Sequence, residues 1–533
     1  MYIPRRSSAS PRNGSFIVFA LTIAMLASWL PHYLFWPWWP DADAWATIAL
    51  GWDSGIRPYR DLTIFNFPGQ IEICWLLGKL FGWGKTWPFY AFDAALLLSL
   101  GPLLVFWSRA RLDRSLPGLI GWATTVWFYC GLNYTLVAQR DWQGPLLALA
   151  SLAAIQTLRG KTGAVVSAGL MALGFAIRPH VVLFFPAIGL AVWLDSKSWR
   201  HAIRNASEWS VGFVFFVVLL FSPLIVQGLI PDFVRGVREA RTGQGYVQAT
   251  FSSVLWEVGR QVGIVAPDAM VKDKDRLWML LAGWKVLATL AALIAIMVKA
   301  TPERRRSVAP WIVALMVALL YKPLHPKSHV YLALPLKLVW GVVFGLLAGV
   351  ILERFSESRP WVRQSVLLLV LVIAMPGIPV YCLPREALDA IRGREQIRVP
   401  ATARLLFKPG NPDSVYRWSE YQQTLAYLRS HTSASTRVSS IIRNLPFPAI
   451  NGPVGRISPL PAESGVIWLW SVNPKLEPAF VRSLEDAPAG SVVVWAPSES
   501  PLNAARKLEL LPKAVTRSYR PEAKFGVIEI WRK

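Results

Sequence analysis

The stretch DADAWATIALGWDSGIRPYRDLTIFNFPG, from Asp41 to Gly69, decides how this chain is read. It sets four aspartates (Asp41, Asp43, Asp53 and Asp61), a PYRD run and an FPG turn directly after the apolar run Ser15 to Phe35. A run of that length can cross a hydrocarbon core of about 30 Å as a helix. Ionised groups beside a bilayer need a pairing partner or a chemical task, so the loop is the first candidate for an active site.

Composition agrees with that reading. Of 533 residues, 54% are hydrophobic and only 17% charged, and mean hydropathy is positive, which excludes an ordinary soluble enzyme of this size. The formal net charge of +24 does not point to nucleic acid. The basic residues sit in short clusters between apolar runs, as topology-setting charges do, and no basic run is interleaved with stacking aromatics. The 27 tryptophans suit interfacial belts and a sugar site. Cys74, Cys130 and Cys382 show no metal-ligand spacing and read as buried apolar thiols.

Apolar runs at 15–35, 88–108, 117–134, 143–158, 163–178, 180–195, 210–230, 278–298, 309–323, 329–352 and 364–382 predict a polytopic α-helical membrane protein of about eleven spans. The first follows Arg5, Arg6 and Arg12, is too long for a signal-peptide core and has no small-residue cleavage site before PWWP. It reads as an uncleaved helix with its N-terminus inside. Gln70 to Trp83, interrupted by Glu72 and Lys79, reads as an amphipathic helix in the interface.

If every run crosses, one set of connections holds Arg5/Arg6/Arg12, Arg109 to Arg114, Arg159 to Lys161, Lys197 to Arg204, Lys299 to Arg306 and Glu353 to Arg363. These are short and basic, hence cytoplasmic. The opposite set holds the aspartate loop (first outer loop, 36–87), the QRDWQ segment around Asp141, the IRPH segment around Arg178, Pro231 to Arg276, the HPKSH segment at His325, and everything after Val380. The residues with chemical character thus share the outer side. Domains of 1–382 in the membrane and 383–533 outside it follow. The tail carries a helix pattern at Tyr421 to Thr432 and the strand-like runs STRVSSII, VIWLW, SVVVWAP and FGVIEIW, which predict a small α/β domain. It has no glycine-rich phosphate loop or nucleophile elbow, and the chain shows no inverted repeat of the kind transporters carry.

Transfer of a sugar from a phosphate leaving group needs a base for the acceptor hydroxyl and cations for the departing phosphate. Asp41 or Asp43 can supply the first. Arg57, Arg60, Arg140, Arg178, Lys327, His325 and His329 can supply the second. Trp45, Tyr59, Asp61, Glu72 and Asp141 complete the polar and aromatic set, as acceptor-side or supporting residues. A site outside the cytoplasm calls for a lipid-linked donor, because nucleotide sugars are not expected there.

The motif D-x-D-x-W-x-x-I-A at Asp41 to Ala49, followed by G-x-x-PYRD and N-x-PG at Gly55 to Gly69, resembles the first outer loop of the C-type glycosyltransferase superfamily. The nearest branch holds protein O-mannosyltransferases, lipid A aminoarabinose transferases and bacterial dolichyl-phosphate-mannose-type enzymes. Arg140-Asp141 opening a span, GFAIRP at Gly174 to Pro179, HVYLALP at His329 to Pro335 and AYLRSHT in the tail extend the likeness over most of the chain. The resemblance implies inverting transfer from a polyprenyl-phosphate sugar to a lipid, glycan or protein acceptor, with a first-loop aspartate as base, in a bacterial inner membrane with the site on the periplasmic side. Relatives carry Asp-Glu where this chain has Asp41-Ala42-Asp43, which leaves open whether Asp41 acts alone or Asp43 replaces the glutamate. No cofactor is implied, and a divalent metal shared by the two carboxylates is a further alternative.

Plainer readings exist for most of these residues. Asp41 and Asp43 could cap a helix starting near Ala44. Arg60 with Asp61 could be a local ion pair, and Arg140 with Asp141 a capped, interface-anchored helix start. Arg178 could reach lipid headgroups, and His325, Lys327 and His329 could line a solvated loop. Glu72, on an apolar stretch, has no such reading. The rival functions are a transporter or flippase of lipid-linked saccharide, and a polysaccharide polymerase or ligase.

Overall fold

A computed structural model describes residues 12–34, 36, 38, 40–64, 66–132, 136–158, 160–243, 250–262, 273–324, 330–355, 358–375, 379, 382, 418–441, 449–460, 477–495 and 510–533. The chain runs through helices α1 (Arg12–Tyr33), α2 (Pro40–Asp53), α3 (Gly69–Phe81), α4 (Trp87–Leu112), α5 (Leu116–Cys130), α6 (Arg140–Thr157) and α7 (Gly160–Ile177). A 3-10 turn (Pro179–Phe184) leads to α8 (Phe185–Asp195), α9 (Trp199–Leu220), α10 (Ser222–Val226), α11 (Ile230–Gly243), α12 (Phe251–Gln261), α13 (Asp273–Lys299) and α14 (Pro302–Tyr321). A second 3-10 turn (Val330–Ala333), α15 (Leu334–Arg354) and α16 (Pro360–Ala374) follow. Within the described residues, each expected span overlaps one of these helices or a consecutive pair.

Five of the helices are long and apolar enough to cross a membrane, at Gly14–Pro31, Trp87–Leu112, Gly160–Ile177, Trp199–Leu220 and Leu334–Leu352. Their outward faces are those of a lipid-exposed bundle: on α9, Val211, Val214, Phe215, Val218 and Leu219 are all exposed. Inside, α5 packs on α15, and α6 on α7 and α4. One interior carboxylate gathers several partners, as a medium without water favours. Asp93 on α4 accepts from Tyr33, Tyr129 and, at 2.7 Å, Gln143 Nε2. Gln143 in turn accepts from Gln70 at 2.9 Å, so α1, α3, α4, α5 and α6 meet on one buried carboxylate.

Among the described residues, contacts gather some of the connections at each of two ends of the bundle, grouped as charge suggests. At one end Arg111 pairs with Asp195, and Gln156 Nε2 donates to the Ser307 carbonyl at 3.1 Å. At the other end the aspartate loop, the starts of α6 and α11, and the ends of α7 and α14 lie together, as the site below describes. All three cysteines are buried and free.

The C-terminal region holds α17 (Trp418–His431), β1 (Val438–Ser440), α18 (Asn451–Val454), α19 (Glu477–Glu485), β2 (Val492–Trp495), α20 (Leu510–Ser518), β3 (Arg520–Phe525) and β4 (Ile528–Arg532). The sheet order is β1-β2-β4-β3, with β1 parallel to β2 and the other pairs antiparallel. The β-branched run of β2 is buried on both faces, as a central strand covered on both sides must be. Val493 and Trp495 pack against Phe480, Leu484, Leu511 and Val515 of α19 and α20. Val492 and Val494 join the cluster containing Tyr421, Leu425 and Leu428 of α17. The helix expected from Tyr421 and three of the four strand-like runs are thus present, with β3, α19 and α20 added; VIWLW lies outside the described residues.

Candidate active site

Helix α2 begins at Pro40, not near Ala44, so both aspartates fall inside its first turn and neither stands before it as a cap. With 3.6 residues per turn, Asp41 and Trp45 share a face while Asp43 points away from it. Asp43 is 2% exposed, and its two oxygens accept from the backbone N–H groups of Ile450 at 3.2 Å and Gly452 at 2.5 Å. Asp41 is half-buried. Residues 38, 46, 74, 83, 89 and 452 line a small apolar cleft beside α2 and α3.

Arg140, first residue of α6, lies with its guanidinium 5.0 Å from the Trp45 ring centre and donates to the Asn66 side chain. Among the described residues, neither Arg140 Nε nor Trp45 Nε1 has a hydrogen-bond acceptor, although both atoms are buried. Buried donors are nearly always satisfied, and these two belong to the same cation–ring contact. Asn66 belongs to the N-x-PG turn, whose Gly69 starts α3 against the end of α7. A Cβ on Gly69 would lie 2.6 Å from the Ala176 carbonyl carbon, so only glycine permits this approach. That contact brings the FPG turn next to GFAIRP.

Arg178, at the end of GFAIRP, is buried, and its Nε donates to Asp141 at 2.8 Å. Asp141 is 1% exposed and also accepts from Tyr321 at 2.9 Å. The adjacent Arg140 and Asp141 therefore do not pair with each other; each faces a different neighbour, and Arg178 is no free headgroup anchor.

The rest of the loop is stapled. Arg57 pairs with Asp61 at 2.9 Å, which corrects the expected Arg60–Asp61 pair, and this hydrogen bond first of all holds the Asp61 carboxyl below its ordinary range. Arg60 reaches Asp232 on α11 at 2.8 Å and the Gly228 carbonyl at 2.7 Å. Tyr59, in the left-handed region at φ 66°, donates to the Asn66 carbonyl at 2.8 Å. Glu72 sits in the first turn of α3 with Oε1 buried and, among the described residues, unpaired; burial pushes its carboxyl up to about 8. His325, Lys327 and His329 lie outside the described residues. No group of three or more His, Cys, Asp or Glu that could hold a metal occurs among the described residues.

The fold is similar to that of ArnT. The structure of ArnT from Cupriavidus metallidurans bound to undecaprenyl phosphate matches with a TM-score of 0.56 at 12% identity, covering 97% of each chain. The apo structure of the same protein matches with a TM-score of 0.54 at 12% identity, covering 98% of each chain. No family model and no curated protein matches this chain. The likeness to ArnT therefore fixes a shared fold over the full length.

Sequence reading missed Asn66 as a partner of Arg140, and it missed Tyr321, Asp232 and the Asp93 network. Asp93 was legible as a carboxylate in the middle of a span-length apolar run. Tyr321 carries no local signal, because its partner is far away in the chain, and the local pairing of Asp232 with Arg235 gives no hint of its contact with Arg60.

Proposed function

We propose that this protein is an inverting membrane glycosyltransferase that moves a sugar from a polyprenyl-phosphate carrier to an acceptor hydroxyl on a lipid, glycan or protein. In this reading the chain has about eleven spans with its N-terminus in the cytoplasm of a bacterial inner membrane, a membrane domain of 1–382 and a periplasmic domain of 383–533. The observation that carries the proposal is the contact of Arg140 with Trp45, one helical turn after Asp41 on α2, with two buried unsatisfied donors among the described residues, in a fold similar to a protein whose structure is bound to undecaprenyl phosphate.

Asp41 takes the proton of the acceptor hydroxyl as its oxygen attacks the anomeric carbon; the bond from that carbon to the phosphate oxygen breaks, and the leaving phosphate gains the charge. A single displacement inverts the centre. Arg140 receives the phosphate, since its guanidinium is the planar, permanently charged donor that such a group needs. Arg178, held by Asp141 and Tyr321, orients the start of α6, and Arg57 and Arg60 shape the loop through their ion pairs. Lys327, His325 and His329 remain proposed phosphate ligands.

The test is transfer of radiolabelled sugar from synthetic polyprenyl-phosphate sugars by purified protein in detergent. Wild type is expected to move label to acceptor or water, and Asp41→Asn to lose on the order of 10²–10⁴ in rate with donor binding retained. No turnover of any donor, with lipid-linked saccharide crossing liposomes instead, would replace this reading with transport.

A further inference from the structure

Asp43 projects from a different face of α2 than Asp41 and Trp45. Its carboxylate is buried, and both oxygens are used by amides more than 400 residues away in sequence. The segment it grips is built to meet it. A Cβ on Gly452 would lie 2.5 Å from the Trp38 ring and 2.8 Å from Asp43 Oδ1, so any larger residue would force the carboxylate off its amides. Asn451 ties the same segment to the C-terminal sheet by donating to the Val438 carbonyl at 2.7 Å. Arg429 of α17 donates to the Pro453 carbonyl at 3.0 Å, and Tyr421 of α17 bonds the Ala449 carbonyl. One residue further on, Gly455 meets Gly84 backbone to backbone, where a Cβ on Gly455 would be 3.0 Å from the Gly84 nitrogen.

We propose that Asp43 is a latch. It is a positioning residue that seats the 449–455 segment of the C-terminal region on α2, and so fixes the start of α2, where Asp41 lies. A carboxylate suits this task because it accepts from two amides at once, and charge-assisted bonds of this kind are stronger than neutral ones. The seat also supplies Gly452 to the wall of the apolar cleft, so the latch sets the shape of that wall.

The test is amide hydrogen exchange across 449–455 in the full-length protein in detergent, which needs no turnover. Asp43→Asn keeps the volume, and losing the charge on the acceptor is expected to speed exchange there by at least about tenfold while the helical spans are unchanged. Gly452→Ala attacks the same seat from the other side, keeps the residue Asp43 but pushes its carboxylate off the amides, and is expected to give the same local signature; it also serves if Asp43→Asn fails to fold. Asp41→Asn should leave exchange in 449–455 at the wild-type rate. Unchanged exchange in both Asp43→Asn and Gly452→Ala overturns the latch. A kinetic arm rests on the transferase reading: residual transfer by Asp43→Asn should keep the wild-type acid limb of the pH profile, whereas loss of that limb would make Asp43 the base and overturn the proposal. Absence of transfer in every variant sinks the transferase reading alone.

Discussion

Replacing Asp141 by alanine strands the Arg178 guanidinium in a buried site. The pair is nearly solvent-free on both sides, with side chains 10% and 2% exposed, and the Tyr321 hydroxyl loses its acceptor in the same step. Removing one partner of a buried ion pair costs about 3–5 kcal/mol, because the remaining charge stays desolvated. That corresponds to about two to three and a half orders of magnitude in the folded-to-unfolded ratio. Asp141→Asn keeps an acceptor for Arg178 and Tyr321 and should cost less. Asp141→Leu combined with Arg178→Met removes both charges and should recover most of the loss, giving a coupling of at least about 2 kcal/mol. Reversible unfolding by steric trapping in bicelles measures each variant. Additive single and double variants, or an Asp141→Ala cost under about 1 kcal/mol, which is the value of an exposed pair, would refute the buried-pair reasoning.

Glu72 offers a pH test: burial raises its folded carboxyl from 4.5 to about 8, so the folded state holds a proton that the unfolded state releases. Stability is therefore full below the unfolded value and falls as pH rises toward 8, by at most about 1.4 kcal/mol per pH unit; Glu72→Gln should flatten that slope, and an unchanged slope in a pH series of melting temperatures would contradict it. Gly69→Ala drives a methyl into the α7 backbone and should destabilise by about 1–3 kcal/mol, read as a lowered melting temperature. Arg140→Gln removes the cation over Trp45 and should weaken polyprenyl-phosphate binding by about 1.5–3 kcal/mol, the worth of a charged hydrogen bond, in a detergent binding titration; unchanged affinity would count against Arg140 as the phosphate ligand.

Much of the architecture is written locally. Every expected span overlaps a helix among the described residues, because an apolar run of sufficient length has no other way to satisfy its backbone in a bilayer. The strands of VSS, VVVW and IEIWR were visible as β-branched and aromatic runs. The pairing at the site was not visible. Arg140 and Asp141 are adjacent in sequence, yet one meets Asn66 and Trp45 and the other meets Arg178 and Tyr321, since successive residues of a helix point about 100° apart.

Sequence by itself determined the class of protein, the position of its helices, the partition of charged connections into two sets and the loop where polar chemistry concentrates. All of these follow from hydropathy and charge read over short windows. Only the tertiary structure decided which aspartate is buried against the C-terminal region. The carboxylates of Asp41 and Asp43 are chemically identical and two residues apart; what separates them is the amide pair of Ile450 and Gly452, brought to α2 by folding across more than 400 residues.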